Sequence, residues 1–329
     1  FILVGTYGPH FPYVAPPELF YKYLKTARLP ATFGTRDDFM NPVLCALQEP
    51  DIRPEVGLAC QAAYKGMVEH TDGLVGRVRR AFGAFVGGRR TPHLFGYLSD
   101  HGDTIGEHGV FGKKTFFEKS VKIPLLLAGT GVAAGRRWDE PVSILDVGPT
   151  VCAWAGAETP ERADGQSLAS ILRGEDGPRG RAVLSESMDK GPDGRWTYGC
   201  MARRGTYKFI TYHGYESQNM LFDVAADPLE QNNLAAARPG MCEEFRWLLR
   251  QATDPAAAEA LQAQHTKRAR VLAAFEKQTG YDDRERYRDY PEEAKRPPEV
   301  CVTSLVGGPG KEQSSVYHGL PLRPQEGKA

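Results

Sequence analysis

Three short apolar runs, Phe1–Val4, Leu94–Leu98 and Ile123–Ala128, each ended by a glycine or a polar turn, constrain this chain more than any other feature. Runs of this length and boundary read as strands buried on both faces of a sheet. Between the first two, Tyr64, Met67, Val68, Thr71, Leu74, Val75, Val78 and Phe82 recur at three- and four-residue steps. That period predicts a helix from about Cys60 to Phe85, ended at Gly87-Gly88. A second helix is expected from Ile144 to Ala155. Strands alternating with helices imply an α/β fold built on a mostly parallel sheet, in which ligands bind beyond the C-terminal ends of the strands. A buried strand at Phe1 predicts a chain cut from something longer.

Residues 30–56, punctuated by Pro30, Pro42, Pro50 and Pro54, read as a long surface connection with short helical pieces. After about residue 178 the texture changes. Thr197–Arg203 and Thr206–His213, joined at Arg204-Gly205, alternate as a hairpin; Met220–Val224 adds a third antiparallel strand, and a helix is expected near Met241–Gln251. The predicted organisation is therefore an α/β domain over 1–178, a small α+β subdomain over 179–255, and a helix with an extended or partly disordered tail over 256–329.

Lys plus Arg number 41 and Asp plus Glu 41, which argues against a nucleic-acid partner engaged through a basic face. No apolar run approaches the roughly 18–20 residues that span a bilayer, so no membrane partner is expected. The six cysteines, Cys45, Cys60, Cys152, Cys200, Cys242 and Cys301, show no CxxC pair, a usage that favours a reducing, cytoplasmic-type compartment. An N-terminal targeting signal is not observable in this sequence, and homo-oligomerisation is left open.

The densest chemistry lies in Ser99-Asp100-His101-Gly102-Asp103 and the Gly-punctuated stretch that runs on to Glu118. Asp100 and His101, side by side at a strand end, can turn toward one cation, although such a pair met alone reads far more often as a capped turn with a hydrogen-bonded histidine. Lys113 closes the stretch where it could neutralise a bound anion, but in isolation it reads as a surface lysine like Lys114. His10, held between Pro9 and Phe11-Pro12 in a loop leaving the first predicted strand, is placed for proton transfer or anion contact; viewed alone it reads as a packing histidine. These features converge on one edge of one predicted sheet.

Ser99-Asp100-His101-Gly102 with Gly106-Glu107-His108-Gly109, Gly112-Lys113, Thr115 and Phe117-Glu118, running into Val121-Lys122-Ile123-Pro124-Leu125, resembles the second half of the sulfatase family of the alkaline phosphatase superfamily. Gly8-Pro9-His10-Phe11-Pro12-Tyr13 is similar to that family's histidine loop, and Tyr64–Val78 to the helix before its metal-binding strand. Leu221-Phe222-Asp223, Asp227-Pro228, Glu230 and Asn233-Leu234-Ala235 resemble its C-terminal subdomain signature. The likeness runs from residue 1 to about 250 and is nearest to the choline sulfatase, iduronate sulfatase and phosphonate monoester hydrolase branches, which use His where other sulfatases have Asn.

The resemblance implies Asp100 and His101 as ligands of a divalent cation, usually calcium, with manganese, magnesium or zinc left open by the imidazole. It implies Lys113 as a contact to the sulfate oxygens and His10 as the group beside the bridging ester oxygen. It also implies a formylglycine nucleophile, made from a Cys/Ser-x-Pro-x-Arg motif. No such motif occurs in these 329 residues, and the Asp-Asp pair that the family carries on its first strand to complete the metal site is also missing. Both are expected upstream of Phe1, leaving this chain a half-site that is inactive alone. The expected function is hydrolysis of a small-molecule or saccharide sulfate monoester. The alternatives are a phosphonate or phosphodiester hydrolase on the same scaffold, and a non-catalytic anion-binding protein.

Overall fold

The computed structural model describes residues 1–34, 42–45, 48, 52–89, 91–191, 194–280, 301–302 and 317–318. In chain order the elements are β1 (Tyr13–Val14), α1 (Pro17–Leu24), α2 (Pro42–Cys45), α3 (Pro54–Gly87), β2 (Leu94–Leu98), α4 (Glu118–Val121), β3 (Leu125–Gly129), α5 (Val147–Ala155), α6 (Ala169–Leu172), β4 (Ala182–Lys190), β5 (Trp196–Arg204), β6 (Tyr207–Tyr212), β7 (Met220–Asp223), α7 (Pro239–Ala252), α8 (Pro255–Thr279), β8 (Cys301–Val302) and β9 (Tyr317–His318). Most of the sequence expected as a tail beyond residue 280 lies outside the described residues.

Helix α3 begins six residues before the expected Cys60, at Pro54, where a ring with no N–H to satisfy suits the first helical turn. Its Ala59, Cys60, Ala62, Ala63 and Met67 pack with Phe20 of α1 and with Tyr13 of β1 into one core. Gly66 lets α1 and the residues leading into it approach closely: a Cβ there would sit 2.9 Å from that of Ala15 and 3.3 Å from that of Leu19. This core holds the histidine loop, residues 7–12, against the helix.

Two expectations are corrected. Phe1–Val4 forms no strand; these residues are exposed, Phe1 completely and Ile2 to 74%. A strand of that apolarity is stable only with pairing neighbours and covered faces, which the described residues do not supply. The strands β2 and β3 pair antiparallel, Leu94 opposite Gly129 through Leu98 opposite Leu125. Between them the chain has only a single 3₁₀ turn and the four-residue α4. A parallel crossover takes a dozen or more residues and usually a helix laid across the sheet, whereas here the chain doubles back. All strand pairs among the described residues are antiparallel, on an α/β background of helices.

The later sheet has order β4-β5-β6-β7. Strand β4, absent from the sequence reading, mixes Ser, Glu and Asp with apolar residues at the sheet edge, so alternation does not mark it. Period-two geometry divides its neighbours. Phe209 and Leu221 pack with Phe245 and Leu249 of α7. On the opposite face, Met201, Ile210, Met220 and Phe222 pack with Phe116 and Phe117. The loop that ends in Lys113 therefore continues into two aromatic anchors seated on the sheet.

Gly102 is required by close approach. Its N–H donates to Ser120 O at 2.7 Å, and a Cβ would stand 2.0 Å from Lys119 O. Gly102→Ala is expected to destabilise the protein by about 1–3 kcal/mol, because a backbone carbonyl cannot yield as a side-chain tip does. Gly73→Ala, on a stretch of α3 with nothing within 4 Å, is the opposite case and should stabilise by about 0.5–1 kcal/mol. Urea titrations of both variants check the pair; a neutral Gly102→Ala would contradict the packing.

Candidate active site

The histidine loop brings His10 to the strand edge, with cis peptides at Gly8-Pro9 and Phe11-Pro12. Its Nδ1 lies 2.6 Å from Phe11 O, which can only accept, so Nδ1 carries the hydrogen. Nε2 is then an acceptor, and Lys113 Nζ stands 2.7 Å from it as donor. These two residues are 103 positions apart in sequence.

Asp100 and His101 follow directly from the end of β2. Ser99 Oγ donates to His101 O at 2.7 Å, and the His101 N–H donates to Asp100 Oδ1 at 3.0 Å, fixing the turn. His101 Nδ1 is 2.8 Å from Gly102 O, so the ring directs Nε2 toward Asp100 Oδ2 at 3.5 Å. The two atoms thus face each other at a separation that a small cation could bridge. The rings of His10 and His101 lie 5.9 Å apart, edge to face. Burial raises the Asp100 carboxyl, but His101, the adjacent backbone N–H groups and Lys113 outweigh it and hold the group below the usual carboxylate range.

The donor chemistry of Asp100 and His101 fits a divalent cation, as two of the ligands it would need. Hard cations take six or more donors, and among the described residues no group of three His, Cys, Asp or Glu side chains could hold a metal ion. Asp103 is not a third ligand. It is committed to Tyr13 Oη, which donates to both of its oxygens at 2.9 and 3.0 Å, and to the N–H groups of Ile105 and Gly112. Glu107 pairs with Lys119 at 3.4 Å, and buried His108 stacks on Phe117 with ring centroids 4.0 Å apart. Both serve the loop rather than the cluster. Lys114, by contrast with Lys113, is exposed and stands 3.8 Å from Asp189.

Sequence reasoning missed the polar core beneath the loop. Lys208 is fully buried, with Nζ 2.8 Å from Glu118, 2.6 Å from Glu230 and 2.9 Å from Phe116 O. Arg203 also binds Glu118, and Glu230 Oε2 accepts the Glu118 N–H at 2.6 Å. Glu118 and Glu230 both sit in the quoted motifs; Lys208 has no motif, and its only sequence signal is a cation between apolar strand residues.

Residues 1–157 match the family model described as Sulfatase, and residues 106–243 the one described as N-sulphoglucosamine sulphohydrolase, C-terminal. The chain is 33% identical over 206 residues to arylsulfatase K of Danio rerio, covering 59% of this chain and 37% of that protein. It is 32% identical over 241 residues to the choline-sulfatase of Rhizobium meliloti, covering 69% of this chain and 44% of that one. The chain thus spans less than half the length of these two relatives. Among solved structures, the phosphonate monoester hydrolase of Silicibacter pomeroyi superposes with a TM-score of 0.59 at 26% identity, covering 74% of this chain and 54% of that one.

Proposed function

The chain belongs to the sulfatase family of the alkaline phosphatase superfamily, and from that premise we propose that His10, Asp100, His101 and Lys113 serve metal-dependent hydrolysis of sulfate monoesters. The observation that carries the reading is the contact of Lys113 Nζ with His10 Nε2 at 2.7 Å, beside the Asp100–His101 turn. A cation, a proton carrier and two metal-ligand types on one strand edge are what transfer of an anionic group from an ester oxygen requires. Lys113 donates to the oxygens of the sulfate. His10, released from Lys113 by the substrate, takes up a proton at Nε2 and gives it to the bridging oxygen as the ester bond breaks, returning to the neutral ring. Asp100 and His101 supply two ligands to a divalent cation, calcium by family habit, with manganese, magnesium or zinc compatible with the imidazole. When bound, that ion neutralises charge developing on the transferred group.

Family members form their nucleophile, a formylglycine, from a Cys/Ser-x-Pro-x-Arg motif that these 329 residues do not contain. We read the nucleophile as supplied by other residues, and the substrate as a small-molecule or saccharide sulfate, in line with the names of the choline-sulfatase and sulphoglucosamine matches. In the same reading, 1–178 is the C-terminal portion of the sulfatase α/β domain, 179–255 its smaller α+β subdomain, and 256–329 an appended helix and tail. The likeness to a phosphonate monoester hydrolase supports a second reading, in which the same cluster serves a phosphonate ester.

Titration calorimetry of the 329-residue chain with inorganic sulfate, in calcium or manganese, tests the binding half. Sulfate binding by this chain should be lost with Lys113→Ala, and in the complete enzyme metal uptake should be lost with Asp100→Ala or His101→Ala. The chain alone should turn over neither an aryl sulfate nor an aryl phosphonate, since covalent catalysis needs its nucleophile. Metal-dependent aryl sulfate hydrolysis by this chain would show that the nucleophile lies within it. Preference for the phosphonate in the complete enzyme would favour the second reading.

A further inference from the structure

Lys113 and His10 meet although neither belongs to a regular element: each is carried by a loop, 103 positions apart. Something must hold those loops in register, because a misplacement of about 1 Å at reacting groups can cost on the order of 100-fold in rate. The connection runs underneath the site. Tyr13, three residues after His10, is only 2% exposed, and its hydroxyl donates to both carboxylate oxygens of Asp103, a residue 90 positions away. The same carboxylate accepts from the N–H of Gly112, the residue before Lys113, at 3.1 Å, and from Ile105 N at 3.0 Å. Thr104 adds a second closure: its N–H donates to Gly112 O at 2.8 Å, and its hydroxyl lies 3.0 Å from that oxygen and 2.7 Å from Val110 O. Gly112 itself has φ +85°, a left-handed backbone at which glycine is favoured, so the chain can reverse into Lys113 there.

We propose that Tyr13 and Asp103 form a positioning pair that sets the Lys113–His10 contact by tying the histidine loop to the lysine loop. The inference rests on the functional reading above only for its consequence in turnover; the clamp itself is a statement about this chain. Neither residue reaches the cluster with a free polar atom, since both Asp103 oxygens and the Tyr13 hydroxyl are engaged with each other or with loop amides. Burial of the Tyr13 hydroxyl, with the Asp103 charge beside it, raises its pKa well above the ordinary range. The phenol therefore stays a donor. Asp103 is itself raised by burial, against the pull of Ile105 N, Tyr13 and Gly112 N.

The test reads the side-chain ¹⁵N shifts of His10 in the labelled full chain. Lys113→Met defines the shift of an Nε2 that has lost its donor. Tyr13→Phe and Asp103→Asn are each expected to move Nε2 most of the way to that value, with the fold retained by circular dichroism and thermal melt. Tyr64→Phe, whose ring packs on Tyr13 at 6.0 Å, is the packing control and should leave the shift where wild type has it. In the complete enzyme, Tyr13→Phe should lower kcat for an aryl sulfate about tenfold with KM little changed, and should cost nothing further in a Lys113→Ala background. An unmoved His10 shift in a folded Tyr13→Phe variant overturns the proposal, as does a loss that adds in full to that of Lys113→Ala. If Asp103→Asn unfolds, Tyr13→Phe decides alone; unfolding of both makes the pair structural and also overturns it. A shifted His10 with no sulfate turnover in the complete wild-type enzyme leaves the clamp standing and defeats the functional reading instead.

Discussion

Lys113→Ala is expected to lower kcat/KM for an aryl sulfate in the complete enzyme by about 100- to 1000-fold, the loss typical of removing one donor aimed at developing negative charge. Lys114→Ala, one residue on, stays within about threefold, as expected for an exposed ion pair in high dielectric. The contrast is geometric. Lys113 Nζ is turned onto His10 Nε2 at 2.7 Å, while Lys114 is 66% exposed and 3.8 Å from Asp189. Composition and local charge are the same for both, so only placement separates them. Steady-state kinetics on the two variants checks the prediction; equal effects would mean that the wrong lysine has been singled out.

Lys208→Met should destabilise the protein by about 3–5 kcal/mol, because it removes the cation between two buried carboxylates, leaving Glu230 without its counter-charge and Glu118 with Arg203 alone. Lys208 is fully buried and touches Glu118, Glu230 and Phe116 O. Adding Glu230→Gln to Lys208→Met should recover much of the loss, since a neutral amide needs no counter-charge and Glu118 keeps Arg203. The pH dependence carries a definite sign. Burial raises Glu118, but Lys208 and Arg203 outweigh it and hold the carboxyl below its ordinary value. That stabilisation is present above the unfolded pKa, about 4.3, and is lost as pH falls through the folded value. Glu230 is raised, burial outweighing Lys208, so its contribution is present at low pH and fades as pH rises through its folded value. Removing Lys208 raises both carboxyls, so the variant's deficit should widen from about pH 4 toward neutrality. Chemical denaturation at three pH values measures this. A deficit that shrinks with rising pH would contradict the pairing.

The same cluster connects the later sheet to the site. Phe116 and Phe117 seat the lysine loop on Ile210, Met220 and Phe222, and Glu230 accepts the Glu118 N–H. Lys208→Met should therefore loosen the segment that follows Lys113 as well as the subdomain core.

What could be read along the chain was whatever short-range spacing governs. The 3.6-residue period marked α3, the α7 region was expected from its sequence, and the Arg204-Gly205 turn marked the β5–β6 hairpin, where Gly205 has φ +58°. Asp100, His101 and Lys113 stood out because one Gly-punctuated stretch carries them, and adjacency forces the first two to share a turn. Strand pairing was not legible, because apolar runs specify burial and not direction; β2 and β3 proved antiparallel once the connection between them doubled back. The apolarity of Phe1–Val4 likewise predicted a strand that the described residues do not pair. Tertiary structure alone decided that Lys113 meets His10, that Tyr13 reaches Asp103 and that Lys208 lies between Glu118 and Glu230. Each of these contacts closes a loop of about 20 to 100 residues, and hydrogen-bond geometry across such a closure depends on every packed element in between.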